Sequence, residues 1–465
     1  MAAPGVPWPL SSPPCREGHA RLRFTSWQLY HWADGALNGP GGEAAAGDEK
    51  RPAGDPIENG VCGLSDERAR RRSRFLRGNA VIGGFYLATG LMATTYEVAM
   101  GRGLGPAAYA DVNTVLAMAV IAGVAQGVLQ LLVAGEVGRT GAVSLRWARV
   151  SLVAGASLAA MGVLLDGPAR ALWYLPRGAF LAMALMSALW LLLAIQRGVA
   201  QGQEDYVTLG SSVAVEAAVR LVLTLELIGP LGFWGAVIAL GGGSLASSIY
   251  TFARVRIPWR PVVPTAWVDV GFMAAGLGLA AVLPTMDLLI VKHAWPVAWV
   301  GAWTGMRLFG KGIMAIPTLV ATVLYPRIVR DPEARSQYRL WAGLLAAGLM
   351  GLVALGASVV MPRLIRLFFA GRYLADLQGF LLYVWAVIPL GIFGLLVNEA
   401  LAARDRWAVA ELGAVALLYL LLLVGHHARM GDVLGDMALL GVLEVAHIVR
   451  LRRRLPLVAP AKGAH

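Results

Sequence analysis

The sequence predicts an all-α polytopic membrane protein whose chain crosses the bilayer about twelve times. Of the 465 residues, 57% are hydrophobic and only 15% are charged, and the mean hydropathy is +0.63. Soluble domains are about 45–50% apolar and about 25% charged. The apolar residues also gather in runs of roughly 20, the length of helix that spans a hydrocarbon core about 30 Å thick. Together these features exclude an ordinary soluble protein.

Residues 1–76 differ in composition from the rest of the chain. They are polar and rich in Gly, Pro and Ala, as in GALNGPGGEAAAGDEKRPAGDPIENG. Such a segment cannot bury enough apolar surface to offset its ordering entropy, so we expect a disordered and dispensable extension. It lacks the apolar stretch of a signal peptide and would also fit an over-extended start of translation. Cys15 and Cys62 lie here without metal-ligand spacing, so no disulfide framework or zinc site is indicated.

The apolar runs that follow predict the individual spans. A tight helical hairpin is expected between the fifth and sixth spans, because only GPLG separates them. The predicted spans are 79–100, 108–134, 147–166, 178–198, 208–228, 231–253, 268–291, 297–324, 339–361, 379–401, 407–425 and 431–449.

Basic residues between the spans predict the orientation of the chain. The formal charge is +12, and the arginines lie in short clusters between apolar runs, which is typical of a membrane protein rather than a nucleic-acid-binding one. With both termini cytoplasmic, the inside segments hold nearly three times as many basic residues as the outside loops. The inside set includes Arg139, Arg146, Arg149, Arg197, Arg254, Arg256 and Arg260 with clusters at 68–77 and 450–454; the outside set is Arg102, Arg170, Arg177, Lys292, Arg363, Arg366, Arg372 and Arg429.

The loops and motifs argue against an enzyme. The predicted loops are about 20 residues or fewer, whereas membrane enzymes that polymerise glycans usually carry a large external loop. No paired-carboxylate constellation and no G-x-x-x-x-G-K-[ST] loop occurs, so direct ATP drive is not expected. No cofactor is predicted. His426 and His427 have no further ligands nearby, and we interpret them as solvated.

The two halves of the chain show a weak internal repeat. The first span runs into YEVAMGRGLGPAAYADV with Glu97 near its end, and the seventh contains MDLLIVKHAWPVAWVGAW with Asp287 in the matching place. Six spans per half would make the repeat parallel, with its axis along the membrane normal. We therefore divide the chain into bundles at 77–260 and 261–455, with a cytoplasmic tail at 456–465.

Six segments, in order, resemble the oligosaccharide and polysaccharide flippases (O-antigen type) of the multidrug/oligosaccharidyl-lipid/polysaccharide (MOP) exporter superfamily. They are GRGLGPAAYADV, RGVAQGQEDYVTLG, GPLGFWGAVIAL, PTMDLLIVK, GKGIMAIPTLVATVLYPRIV and LFFAGRYLAD, and they extend over residues 79–450. The resemblance implies two six-helix bundles around a central cavity, alternating access, and export of a lipid-linked sugar across the cytoplasmic membrane. The N-terminal extension has no counterpart in this pattern.

Ionisable residues inside the spans are the candidate functional residues, because burying a charge in a bilayer is costly. Arg307 and Lys311 are four residues apart in the eighth span, so they share one helix face. A lipid diphosphate would supply the anion that two like charges need, and Arg offers bidentate donors to phosphate. The alternative is that each cation pairs with a separate acidic residue and is structural.

Further candidates remain open between binding and structural roles. Glu216 and Arg220 have opposite charges at the same spacing, so an intrahelical ion pair is the simpler interpretation; if it opens, Arg220 becomes a third cavity cation. Asp287 is either a proton or cation coupling site or the partner of Lys292. Glu97, Glu226 and Glu399 lie near span ends, where we expect them to snorkel or cap, although Glu97 is also a possible coupling or ion-pair residue.

Prolines and tryptophans complete the candidates. Pro284, Pro317 and Pro389 would loosen their spans, which suits a gate but is common in membrane helices. Trp303 and Trp385 lie deep enough to stack on a sugar ring, although core packing is the simpler interpretation.

Three functional hypotheses follow. The first is a flippase for a lipid-linked oligosaccharide (polyprenyl-diphosphate sugar), which would meet membrane lipids and the glycan polymerase or glycosyltransferases of its pathway. The second is a cation-coupled multidrug (MATE-like) exporter of the same superfamily, whose cavity should be lined with carboxylates. The third is a membrane scaffold or glycan enzyme, which the short loops disfavour.

Overall fold

A computed structural model describes residues 83–85, 87–261, 267–330 and 335–454. The predicted extension 1–76 and tail 456–465 lie outside the described residues. Within these ranges the chain is almost wholly helical, and a single isolated bridge joins Val143 and Trp259. The predicted all-α fold of twelve membrane-crossing helices in two six-helix bundles is confirmed.

The helices of the N-terminal bundle are α1 (87–103), α2 (Pro106–Thr140), α3 (Leu145–Trp173), α4 (Ala179–Gly202), α5 (Tyr206–Leu231) and α6 (Phe233–Arg254). Those of the C-terminal bundle are α7 (Trp267–Ala294), α8 (Val297–Arg330), α9 (Arg335–Phe369), α10 (Leu377–Ala386), α11 (Ile388–Ala402), α12 (Arg406–Gly425) and α13 (Met430–Arg454), with a 3-10 turn at Leu374–Asp376. In this count α10 and α11 form one interrupted crossing. Eight of the described helical segments are long and apolar enough to cross a membrane.

The predicted hairpin between the fifth and sixth spans is confirmed. Helix α5 ends at Leu231 and α6 begins at Phe233, so one residue makes the reversal. That residue, Gly232, has φ +52° and ψ −122°, a backbone conformation that residues other than glycine rarely adopt.

Small residues bring α4 against α2. A Cβ added to Gly198 would lie 2.8 Å from the carbonyl oxygen of Gln130, and one added to Gly202 would lie 2.7 Å from that of Ala134. Glycines four residues apart let membrane helices approach backbone to backbone. The glycines of the RGVAQG segment are therefore explained by helix packing. The close approach of the two helices also buries the neighbouring Arg197 within the bundle.

The predicted tenth span is interrupted. The apolar segment extends over Leu374–Leu401, but it breaks at Val387 into α10 and α11, with Pro389 as the second residue of α11. Proline lacks the N–H that would continue the hydrogen-bond ladder. A Cβ added to Gly441 of α13 would lie only 2.9 Å from the Pro389 ring. The interruption between α10 and α11 is therefore packed closely against α13.

Candidate functional site

Arg307 of α8 forms a buried ion pair with Asp287 of α7. The guanidinium Nε lies 3.1 Å from Asp287 Oδ2, and one Nη donates to the carbonyl oxygen of Pro284 at 2.7 Å. Trp303 Nε1 donates to the same Asp287 oxygen at 3.1 Å. Asp287 is fully buried and Arg307 nearly so. Pro284 therefore supplies an acceptor that helps hold the pair in place.

Aromatic rings enclose this pair on one side. The ring of Trp303 lies edge-on to Tyr383 with centroids 5.0 Å apart, and Trp295 packs against Trp303 at 5.5 Å. Trp303 has no exposed surface, which agrees with core packing rather than sugar stacking. Trp385, by contrast, is 45% exposed and donates to Ser358 Oγ at 3.3 Å.

Lys311, one turn after Arg307, links the two bundles instead of sharing its environment. Its Nζ donates to Glu97 Oε1 of α1 at 2.9 Å and to Asn113 Oδ1 of α2 at 3.2 Å. Tyr109 donates to the other oxygen of Glu97 at 3.3 Å. Of the alternatives for Glu97, the structure shows the ion pair and not a snorkelling or capping role, because a cation from the opposite bundle reaches it inside the protein. Arg307 and Lys311 thus pair with separate carboxylates.

The expected intrahelical pair of Glu216 with Arg220 is replaced by a pair between helices. Arg197 of α4 reaches Glu216 Oε2 at 2.7 Å and also donates to Ser212 and Ser247 at 3.1 and 3.0 Å. The two hydroxyls thus accept from guanidinium donors of Arg197 in addition to the one that Glu216 accepts from. Arg197 is buried inside α4, so its assignment to an inside loop is also wrong.

Arg220 is left without a carboxylate among the residues that the structure describes. Its guanidinium carbon lies 5.0 Å from the ring centroid of Tyr96 on α1. Both Arg220 Nε and the Tyr96 hydroxyl are buried polar atoms without a hydrogen-bond partner in the described part of the chain. Tyr96 directly precedes Glu97 on α1. Arg220 and Lys311 therefore contact consecutive residues of the same helix.

Lys292 pairs with Asp111 of α2 at 2.5 Å, not with Asp287. Of the two alternatives for Asp287, the pairing with Lys292 is therefore wrong. Lys292 is not a loop residue as the sequence predicts but a buried residue near the end of α7, and it reaches the opposite bundle. Sequence reasoning did not single out Asp111 or Asn113. The only available signal was their place in the PAAYADVN segment, which matched the flippase pattern as a whole.

One end of the molecule carries many further links between the bundles, and we call it the sealed end. Trp173 Nε1 donates to the carbonyl oxygen of Leu289 at 3.0 Å, and the His293 ring bonds that of Leu172 at 2.9 Å. Burial raises the pKa of the nearby Tyr373 phenol to about 12, so the phenol stays neutral. The sealed end comprises residues 97–113, 172–173, 289–311 and 367–373.

Buried acids also lie in the C-terminal bundle. Asp436 and Glu444 of α13 are buried, and Asp436 Oδ2 and Glu444 Oε1 have no hydrogen-bond partner among the described residues. Asp436 lies 3.6 Å from the exposed His426. Of the other predicted acids, Glu226 is exposed and Glu399 is buried. No group of three or more His, Cys, Asp or Glu residues arranged to hold a metal occurs within the described ranges.

The fold resembles solved transporter structures. One is "Lipid II flippase MurJ, inward closed conformation", with a TM-score of 0.60 and 11% identity over 81% of this chain and 88% of that chain. Two others are outward-facing and inward-facing conformations of a multidrug resistance MATE family transporter of the MOP superfamily. Their TM-scores are 0.55 and 0.54, with 15% and 16% identity over 82% and 79% of this chain and 94% of each of theirs. No family model and no curated protein matches the sequence.

At these identities the likeness establishes the fold alone. The printed names of the matched proteins are those of transporters and a flippase. The chain is accordingly a multi-pass membrane protein with the fold of MOP-superfamily transporters.

Proposed function

We propose that this protein flips a lipid-linked oligosaccharide, a polyprenyl-diphosphate sugar, across the cytoplasmic membrane by alternating access, for polysaccharide biosynthesis. The observation that carries the proposal is the guanidinium of Arg220, which has no carboxylate partner among the described residues. The other cations of the site each have a carboxylate partner, as in the pairs of Arg307 with Asp287 and Lys311 with Glu97. An uncompensated charge inside a membrane protein is costly and is typically a functional group.

The charge balance around α1 favours an anionic substrate. Arg220 lies against Tyr96 and Lys311 bonds to Glu97, the next residue of α1, so two positive charges meet this stretch of α1 and one carboxylate. A diphosphate would compensate the excess, and its oxygens would also accept from the unpartnered Tyr96 hydroxyl and Arg220 Nε. The Arg307–Asp287 and Arg197–Glu216 pairs are internally neutral, so they contribute to structure rather than to this excess.

The proposal includes an orientation and partners. With both termini cytoplasmic, the sealed end faces away from the cytoplasm. The glycosyltransferases that build the sugar would work on the cytoplasmic side. The flipped substrate would then reach a glycan polymerase on the other side. The excess of basic residues in the segments assigned to the inside supports this orientation.

The test measures glycan export and membrane abundance in the same cells. Arg220→Ala should abolish export while abundance stays normal, because removing an unpaired cation strands no partner. Arg170→Ala, which removes an exposed arginine of α3, is the matched control and should export normally. Normal export by Arg220→Ala would contradict the proposal.

A second candidate is a cation-coupled multidrug exporter. The buried carboxyl groups of Asp436 and Glu444, each with an unpartnered oxygen in the described chain, favour it because carboxylates suit cationic cargo. Export of a cationic dye from cells would separate the two functions. A dye exporter should lose efflux in Asp436→Asn or Glu444→Gln and keep it in Arg220→Ala, whereas a flippase should show no dye efflux to lose.

A further inference from the structure

We infer that Glu97 takes the place of the substrate phosphate on Lys311 in the empty protein, so that a bound diphosphate exchanges with Glu97 and releases one link between the bundles. This inference rests on the proposed function and adds to it a gating residue. Glu97 would act through Lys311 and would not itself touch the phosphate.

Accessibility separates Lys311 from the other lysine that joins the bundles. The side chain of Lys311 is 42% exposed, whereas that of Lys292 is 4% exposed and its partner Asp111 is 14% exposed. A ligand from solution can therefore reach the first bridge and not the second. The Lys292–Asp111 pair is therefore expected to stay formed when a ligand binds, unlike the Lys311–Glu97 pair.

The donors of Lys311 allow a stepwise exchange. An ammonium group has three N–H donors, and here Glu97 and Asn113 accept two of them. The third is free for a phosphate oxygen while the bridge is intact. A diphosphate carries more charge than one carboxylate, so it competes well for the remaining donors.

The partner left behind is not stranded by the exchange. Glu97 keeps the hydroxyl of Tyr109, at 3.3 Å, as a donor after Lys311 turns away. The cost of losing the bridge is thereby reduced. What changes is the number of links between α1 and α8 at the sealed end, so occupancy of the site is coupled to opening of that end.

The experiment uses full-length protein in nanodiscs, with farnesyl diphosphate as the probe and farnesol and inorganic pyrophosphate as comparisons. Glu97→Gln removes the internal competitor, so its Kd for farnesyl diphosphate should fall roughly tenfold, within the usual range of coupling between sites. Glu226→Gln, the same change at an exposed acid of α5 that is not part of the sealed end, is the control and should leave that Kd unchanged. Farnesol should not bind, and weaker binding of pyrophosphate would assign the site to a lipid diphosphate rather than the free ion.

Opening of the sealed end is measured in the same samples. The reporter is the rate at which a hydrophilic maleimide labels Leu104→Cys, a buried position of the sealed end, with Cys15 and Cys62 replaced by Ser. Farnesyl diphosphate should raise this rate several-fold in the parent protein and in Glu226→Gln. In Glu97→Gln the rate should already be high and respond little to the probe.

The outcomes distinguish the two levels of the proposal. If the parent protein does not bind farnesyl diphosphate in preference to farnesol, both the function and the exchange are wrong. If it binds and Glu97→Gln binds no more tightly, only the exchange is wrong. Because Lys311 is solvent-accessible, Glu97→Gln should fold with an unchanged Tm, which is checked first.

Discussion

Arg102 and Arg372 form reciprocal hydrogen bonds: Arg102 donates to the end of α9, and Arg372 donates to the end of α1. Arg102, at the end of α1, donates through Nε to the carbonyl oxygen of Leu367 in the last turn of α9 at 2.7 Å. Arg372, just after α9, donates to the carbonyl oxygens of Leu104 and Arg102 at 2.5 and 3.0 Å. The last carbonyls of a helix lack partners within it, and basic groups stabilise them. The two arginines therefore clamp the bundles together at the sealed end.

We predict that Arg372→Ala loosens this clamp. The carbonyls of Leu104 and Arg102 would lose a charged donor, typically about 1.5–3 kcal/mol for a hydrogen bond to a charged group. Maleimide labelling of Leu104→Cys should therefore rise several-fold without any ligand. Arg363→Ala, which removes a more distant arginine of α9, is the control and should label slowly. Equal rates in both variants would show that the clamp does not hold the sealed end.

A second prediction concerns the ion pair of Arg307 with Asp287. Arg307→Ala leaves a fully buried carboxylate without its cation, a loss of about 3–5 kcal/mol in the free energy of unfolding. Membrane abundance and Tm should both fall. The double variant Arg307→Met with Asp287→Leu should recover much of the loss, because it removes both charges. If Arg307→Ala is as abundant as wild type, the pair is not structural.

Lysine should replace Arg220 only in part. Arg220→Lys keeps the charge but loses the planar fork that binds phosphate through two parallel bonds. We therefore expect glycan export to fall to an intermediate level between wild type and Arg220→Ala, at equal membrane abundance. Full export by Arg220→Lys would indicate that charge alone is recognised.

Orientation is tested with reporter fusions. A fluorescent protein fused after His465 should be bright, because it folds in the cytoplasm. Alkaline phosphatase fused near Met430, in the loop between α12 and α13, should be active, because it requires export. The opposite pair of signals would place the C-terminus outside and would mean that the predicted number of spans is wrong by one.

Small-residue packing gives a further prediction. Gly198→Val introduces a side chain whose Cβ would lie 2.8 Å from the backbone oxygen of Gln130, so α4 must move away from α2. Membrane abundance should drop sharply, and Arg197 should lose its hydroxyl partners. Gly167→Val, at a position where a Cβ meets nothing within 4 Å, is the control and should be tolerated in abundance.

The sequence by itself determined the fold class, the number of crossings and the hairpin at Gly232. These follow from local properties: apolar runs of bilayer length and a glycine between two helices with no room for a longer turn. The sequence also showed which ionisable residues lie within the apolar runs, since any such residue stands out there. It did not place Arg197 or Lys292 within the protein, because each lies at a span end where a loop residue looks the same.

Only the tertiary structure decided which charges are partners. Glu216 could have paired with Arg220 one turn away, yet it pairs with Arg197 of another helix, and Lys311 reaches Glu97 across 214 positions of the chain. Spacing along one helix shows which side chains share a face, but not what the neighbouring helix presents to that face. Pairing inside a membrane protein is set by helix packing, because the neighbouring helix must supply both the opposite charge and the hydrogen-bond partners that a buried ion pair needs. The sequence named Arg220 as a candidate, but its lack of a carboxylate partner among the described residues became evident only once the partners of the other charges were known.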